Sequence, residues 1–212
     1  MFRFVILIPS YNEEKTLKKI LSKIRKYQVY VINDCSTDNT NNLKNKFLNV
    51  VFINNKKNIG YENALFKGLK ILKKKKFDYI ITMDADGEHS IASIKKGVNY
   101  CKRHSPDLII GNRSRKNRFM EIIFSKLFYI RYNIFDPFSG FKIYKAKVLK
   151  KLIKNYKIKK HFFIDLLKIF IQSKMKIGSI NISSNSKPKR KSKIGGIFFV
   201  NIKMIYCFKY LF

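Results

Sequence analysis

Acidic residues are scarce: 13 Asp and Glu stand against 46 Lys and Arg in 212 residues, a formal net charge of +33. That excess favours an anionic partner, whether nucleic acid, an acidic membrane surface or a phosphorylated substrate. Lys, Asn and Ile also crowd ordinary surface stretches, so charge narrows the partner class without choosing within it. Cysteine is nearly absent. Cys35, Cys101 and Cys207 form no CxxC pair, which indicates neither a structural zinc site nor a disulfide framework and makes a reducing cytosol the default compartment. No stretch reaches roughly 18 uncharged apolar residues, so no spanning helix is expected. The nearest candidate, 197–212, is interrupted by Asn201, Lys203 and Lys209. The short apolar run at the N-terminus ends at Pro9 without a small-residue cleavage site, so no signal peptide is expected. Internal repeats and linkers are lacking too, and 1–212 reads as one domain. A hydrophobic fraction of 46%, with 19 Phe and 12 Tyr, is enough for a real core and excludes wholesale disorder.

The first half alternates strand and helix. Short apolar runs at 2–9, 28–34, 50–54, 77–84 and 107–112 read as buried strands. Between them, Asn12 is placed to cap a helix carrying Leu17, Ile20, Leu21 and Ile24, and a weak helix is expected around 43–47. A third helix carries Ala64, Leu65, Leu69 and Leu72, and Ser90 caps a fourth bearing Ile91, Ile94, Val98 and Cys101. The repeated β–α units predict an α/β fold, a mostly parallel sheet with helices on both faces. Beyond 119 the pattern changes to an aromatic amphipathic helix over 119–135, a helix over 161–172, a strand over 176–183 and a basic loop, NSKPKRKSKIGG.

Open α/β sheets bind ligands at the carboxyl ends of their strands. In a chain with 13 acids, those ends gather Glu13, Asp34 and the run DADGE at 84–88. Carboxylates crowded as in that run repel one another unless a cation neutralises them, and an all-oxygen donor set suits Mg²⁺ or Mn²⁺ rather than zinc. Gly87 lets the backbone turn so that Asp84, Asp86 and Glu88 can converge. The alternative for this run is a solvent-facing acidic turn, and His89 reads as a loop residue rather than a ligand.

IPSYNEE, INDCSTDNT, the turn at 58–60, MDADGEH, GNR and DPFSGFKIY occur in the order found in family 2 glycosyltransferases. With the late SKIGG, the chain most resembles the dolichol-phosphate mannosyltransferase and polyprenyl-phosphate glycosyltransferase branch. The resemblance implies a single GT-A type Rossmann-like domain, with a nucleotide-sugar-binding half (1–118), an acceptor-side half (119–196) and an amphipathic tail (197–212). It assigns Pro9, Tyr11 and Glu13 to the nucleotide base and ribose. Ile32 and Asp34 become second-strand nucleotide contacts, Asn33 standing where the family usually has a first Asp. Asp84, Ala85 and Asp86 match the diphosphate and metal segment. Glu88 completes a metal set of Asp84, Asp86 and Glu88, in a position where this branch commonly has Gln. Asp86 and Arg113 are the expected catalytic pair. Arg113, Ser139, Lys187 and Lys193 would meet the acceptor phosphate, Lys187 replacing a family arginine for which Arg190 could substitute. A turn hydroxyl is the other reading of Ser139, and simple packing the other reading of Tyr11.

The reaction so implied is inverting, metal-dependent transfer of a sugar, mannose favoured, from a nucleotide diphospho-sugar to a polyprenyl or dolichyl phosphate. That acceptor is already anionic and needs no general base, only alignment with the departing diphosphate. Asp136 is then expected to orient its neighbours. The protein is expected in the cytoplasm, peripheral on the cytosolic face of a membrane or recruited there by a membrane-anchoring subunit, with the basic charge drawing it to anionic headgroups. Two alternatives remain: a saccharide acceptor, and a basic nucleic-acid-binding protein, which lacks any recognised binding motif and is not expected.

Overall fold

Along the first strand, β1 (Phe4–Ser10), side chains alternate between two cores. Val5 and Leu7 join one cluster and Ile6 and Ile8 the other, all fully buried. This period-2 partition is what an apolar run covered on both faces produces. The computed structural model describes residues 2–114, 119–154, 156 and 162–183. After β1 come α1 (Glu14–Lys23), β2 (Gln28–Asn33), a 3₁₀ helix (Asn39–Lys46), β3 (Val50–Asn54), α2 (Tyr61–Leu72) and β4 (Tyr79–Thr82). They are followed by α3 (Ile91–His104), β5 (Leu108–Arg113), α4 (Phe119–Tyr132), β6 (Lys142–Lys145), α5 (Ala146–Leu152), α6 (Phe162–Gln172) and β7 (Ile177–Ile182).

The seven strands form one sheet in the order β3-β2-β1-β4-β6-β5-β7. Pairings β1–β2, β1–β4, β2–β3 and β5–β7 are parallel, while β6 runs antiparallel to both β4 and β5. Helices α2, α4, α5 and α6 cover one face. Helices α1 and α3 and the 3₁₀ turn cover the other. The expected α/β class, mostly parallel sheet and two-sided helical cover are therefore present. From β1 the chain builds outward to β2 and β3 on one side and to β4 on the other. The carboxyl ends of β1 and β4 thus flank a topological switch point, the usual crevice for a ligand.

Two local expectations are corrected. Asn12 does not cap α1: it lies at φ +52°, and its Oδ1 accepts from the backbone N–H of Thr37 at 2.8 Å. Glu13 occupies the cap position without a side-chain cap bond. The free N–H groups of Glu13 and Glu14 are taken instead by Thr40 Oγ1 (3.2 Å) and Asp38 Oδ2 (3.1 Å), so a neighbouring loop caps the helix. The weak helix near 43–47 is the 3₁₀ turn Asn39–Lys46, started by the Asp38 side chain accepting from Thr40 N. Strand β6 and helix α5 leave no legible signal, because a four-residue strand opening on Lys142 and a seven-residue helix give neither period enough length.

Candidate functional site

The carboxyl ends of β1, β2, β4 and β5 share one edge of the sheet, and the antiparallel β6 starts there, so its preceding loop at 136–141 reaches the same place. Thr82 Oγ1 ties that loop to β4 by donating to the Gly140 carbonyl at 2.9 Å. Gly140 is required by this approach: a Cβ there would overlap the Asp84 carboxylate.

On the donor side, Tyr11 is 37% exposed at the end of β1, while Pro9 is buried within the strand. Glu13 is buried and its Oε2 accepts from Thr16 Oγ1. Ile32 points into the core, so any ligand would meet its main chain rather than its side chain. Asp34 is buried, and its carboxylate accepts from Asn55 Nδ2 (2.7 Å), Ile59 N (3.0 Å) and Gly60 N (2.8 Å). It thereby pins the turn that launches α2. Asn33, in place of an acid, links β2 to β3 through Asn54 Oδ1 at 3.0 Å and adds no second charge beside Asp34.

After β4, Gly87 adopts φ +78°, and the backbone turn brings one carboxylate oxygen each from Asp84, Asp86 and Glu88 within 4.8 Å of one another. Ala85 between them is buried in the core, which sends its two neighbours the other way. Glu88 N–H donates to Asp86 Oδ1 at 3.0 Å and closes the turn. Asp84 is held by Tyr61 Oη–H, which donates to its Oδ1 at 2.6 Å. That contact and burial both keep the phenol protonated: desolvation first, then the Asp84 charge, raise the Tyr61 pKa well above its ordinary value. His89 lies in the connection between β4 and α3, as expected, and is buried there. Its Nδ1 accepts from Asp84 N–H at 3.1 Å, and Nε2, 3.8 Å from Asp84 Oδ2, has no hydrogen-bond partner among the described residues. Three converging carboxylates with only hard oxygen donors fit Mg²⁺ or Mn²⁺, and Asp84, Asp86 and Glu88 would hold it.

Arg113, at the end of β5, stands among three buried carboxylates. Its Nε and Nη2 donate to Asp136 Oδ2 (2.8 Å) and Oδ1 (3.0 Å), a two-pronged grip. Nη1 faces Glu88 Oε1 at 4.0 Å and Nη2 faces Glu121 Oε2 at 3.7 Å. Burial alone would lower the Arg113 pKa, but the Asp136 hydrogen bonds and charge, with Glu121 and Glu88, raise it overall. The guanidinium is permanently charged, and its bidentate edge is occupied by Asp136 rather than open to a phosphate. Ser139 is fully buried, and its Oγ accepts from Phe141 N–H at 3.3 Å within its own turn. Lys187 and Lys193, with Arg190, lie outside the described residues. A cavity of about 780 Å³ opens beside Arg113, walled in part by Asn112, Phe135, Ile180 and Ile182, and the buried Oδ1 of Asn112 has no partner among the described residues.

Sequence reasoning missed Tyr61, Glu121 and Lys142. The signal for Lys142 is a charge interrupting FKIY. It is fully buried, and its Nζ donates to the carbonyls of Pro137 (3.0 Å) and Ser139 (2.6 Å). Desolvation pushes its pKa from 10.5 down to about 7, with Asp136 opposing and Arg113 reinforcing. The folded pKa lies below the unfolded one, so between pH about 7 and 10 the unfolded chain binds more protons and stability rises with pH. At most this slope is about 1.4 kcal/mol per pH unit. Lys142→Met should flatten it, as read by urea unfolding between pH 7 and 9.5; an unchanged slope would mean that the amine is charged in the fold.

The open mixed sheet, with an acidic turn after β4 and an antiparallel strand beside it, is the architecture of GT-A glycosyltransferases. A crystal structure of glucosyl-3-phosphoglycerate synthase from Mycobacterium tuberculosis, in complex with Mn²⁺, uridine diphosphate and glucosyl-3-phosphoglycerate, superposes with a TM-score of 0.73 over 96% of this chain and 78% of that one, at 16% identity. Residues 5–153, more than half of the chain, match the model of glycosyl transferase family 2, and the chain belongs to that family. It is 25% identical to a UDP-N-acetylglucosamine–dolichyl-phosphate N-acetylglucosaminyltransferase of Methanococcus voltae, over 84% of each chain. Against a dolichol-phosphate mannosyltransferase of Pyrococcus furiosus it is 28% identical, over 95% of this chain and 62% of that one.

Proposed function

We propose that this glycosyltransferase moves a sugar from a nucleotide diphospho-sugar to a polyprenyl or dolichyl phosphate, with inversion. The observation that carries the reading is the juxtaposition of a three-carboxylate group with Arg113 and a cavity whose walls include Phe135, Ile180 and Ile182. A bound divalent cation would neutralise the diphosphate leaving group. Around it, Pro9, Tyr11, Glu13 and the main chain at Ile32 form the nucleotide floor, and Asp34 keeps the turn at 58–60 in place. Arg113, steered by Asp136, supplies the fixed positive charge between donor and acceptor, and the loop at Ser139 borders the acceptor phosphate. Lys187 and Lys193 add charge from the basic segment. The acceptor is an anionic nucleophile, so no side chain need remove a proton.

Relatives named for N-acetylglucosamine and for mannose support the lipid-phosphate class while leaving the sugar to experiment; mannose is the donor sugar proposed. No helix among the described residues is long and apolar enough to cross a membrane. Exposed Ile122, Tyr129 and Ile130 on α4 and Phe135 beyond it, with exposed Lys126 and Arg131 nearby, suit a headgroup interface at the cytosolic face, reached directly or with an anchoring subunit.

The test is transfer by purified protein with Mn²⁺ or Mg²⁺ and a short polyprenyl phosphate, offering GDP-mannose, UDP-glucose and UDP-N-acetylglucosamine in parallel. A lipid-linked sugar from one donor is expected. Donor hydrolysis without lipid product would discard the acceptor, and no reaction or binding with any donor would discard the proposal.

A further inference from the structure

Asp84 is hemmed in by groups that its own turn does not supply. Tyr61, the first residue of α2, gives it a short hydrogen bond, and Gly140 of the β6 loop backs its carboxylate. The Tyr61 ring stacks on Phe163 of α6, with centroids 6.0 Å apart and planes at 27°. Phe163 also presents its ring to Lys142 Nζ, 3.9 Å from the centroid, and Lys142 holds the carbonyls of Pro137 and Ser139. One aromatic ring thus seats both the phenol that holds a donor-side carboxylate and the amine that holds the acceptor-side loop.

From this geometry we infer that Tyr61 is a positioning residue for the cation-binding group, fixing the orientation of Asp84 so that the three carboxylates stand converged before a cation arrives. The inference rests on the cation reading of Asp84, Asp86 and Glu88. Oxygens within 4.8 Å of one another repel when no cation lies between them, and a carboxylate held only by its own side-chain torsions relaxes away. The phenol resists that relaxation from a neighbouring element. Its donated proton occupies Oδ1, and the ring has no freedom to swing because Phe163 lies against it. Groups that orient metal ligands in this way typically change metal affinity by about 10- to 100-fold when removed. Lys142 plays the matching part for the loop, which makes Phe163 the common support.

Tyr61→Phe keeps the ring and its stack and deletes only the hydroxyl. Mn²⁺ binding by the full chain, followed by electron paramagnetic resonance of the free ion in the presence of GDP or UDP, should weaken about tenfold, with the melting temperature unchanged. Raising Mn²⁺ to saturation should restore most of the transfer rate, which a packing defect would not allow. Phe163→Leu should weaken Mn²⁺ binding as well, by removing the seat of the phenol. Mn²⁺ affinity in Tyr61→Phe within twofold of the wild type would overturn the inference while sparing the cation reading. A wild-type chain that binds no Mn²⁺ with either nucleotide would overturn the cation reading, and the inference with it.

Discussion

Asp86→Ala is expected to reduce sugar transfer by about a thousandfold, the equivalent of roughly 4 kcal/mol of transition-state stabilisation. Asp86 is central to the run 84–88 and its Oδ1 closes the turn that brings Glu88 round, so its loss removes one donor and loosens a second. The folded state should not suffer, because deleting one of three mutually repelling carboxylates relieves strain rather than creating it. The measurement is initial rate with the lipid acceptor beside thermal unfolding of the same samples. A variant that keeps a tenth of the wild-type rate would show that the acidic turn is not where the diphosphate is neutralised.

The second large effect is on stability. Asp136 is fully buried, and both its oxygens are engaged by the Arg113 side chain. Removing one member of a buried pair strands the other, which costs about 3–5 kcal/mol. For a chain of this size that lowers the melting temperature by about 10 °C. Asp136→Ala should show that loss, softened by the nearby Glu121 and Glu88 carboxylates, and calorimetry would measure it. Asp136→Asn separates orientation from proton removal. It retains the shape and one acceptor oxygen, so measurable transfer to a lipid phosphate should survive. Abolished transfer with an intact melting temperature would identify Asp136 as a base and point to a neutral acceptor.

The strands that begin each β–α unit were legible because every one is a short apolar run; β1, β2, β4 and β5 are buried on both faces, while the edge strand β3 keeps Val51 exposed, contrary to a fully buried reading. The acidic turn was legible because carboxylates so crowded in so basic a chain demand an explanation. What escaped detection is tertiary in origin. Strand β6 has four residues and owes its existence to the open edges of β4 and β5. The cap of α1 comes from residues around Asp38 and Thr40, which no local pattern around Asn12 announces. Tyr61 looks like any helix-opening aromatic until the fold sets it against Asp84, and Lys142 looks like another surface lysine until the fold buries it at the start of β6. Arg113 has Asp136 as its partner on one edge, the residue expected from the sequence to orient its neighbours.

Strands β4 and β5 share no hydrogen bonds; β6, made later, lies between them and pairs with both. A chain ending before residue 142 would therefore lack the strand that joins β4 to β5. Residues 142–145 fill that lane, and the loop leading into them brings Gly140 to Asp84 and Asp136 to Arg113. The cut at residue 118 between two expected halves is therefore a boundary in sequence and not in structure: the strand that joins β4 to β5 and the loop that meets the acidic turn both come from the second half.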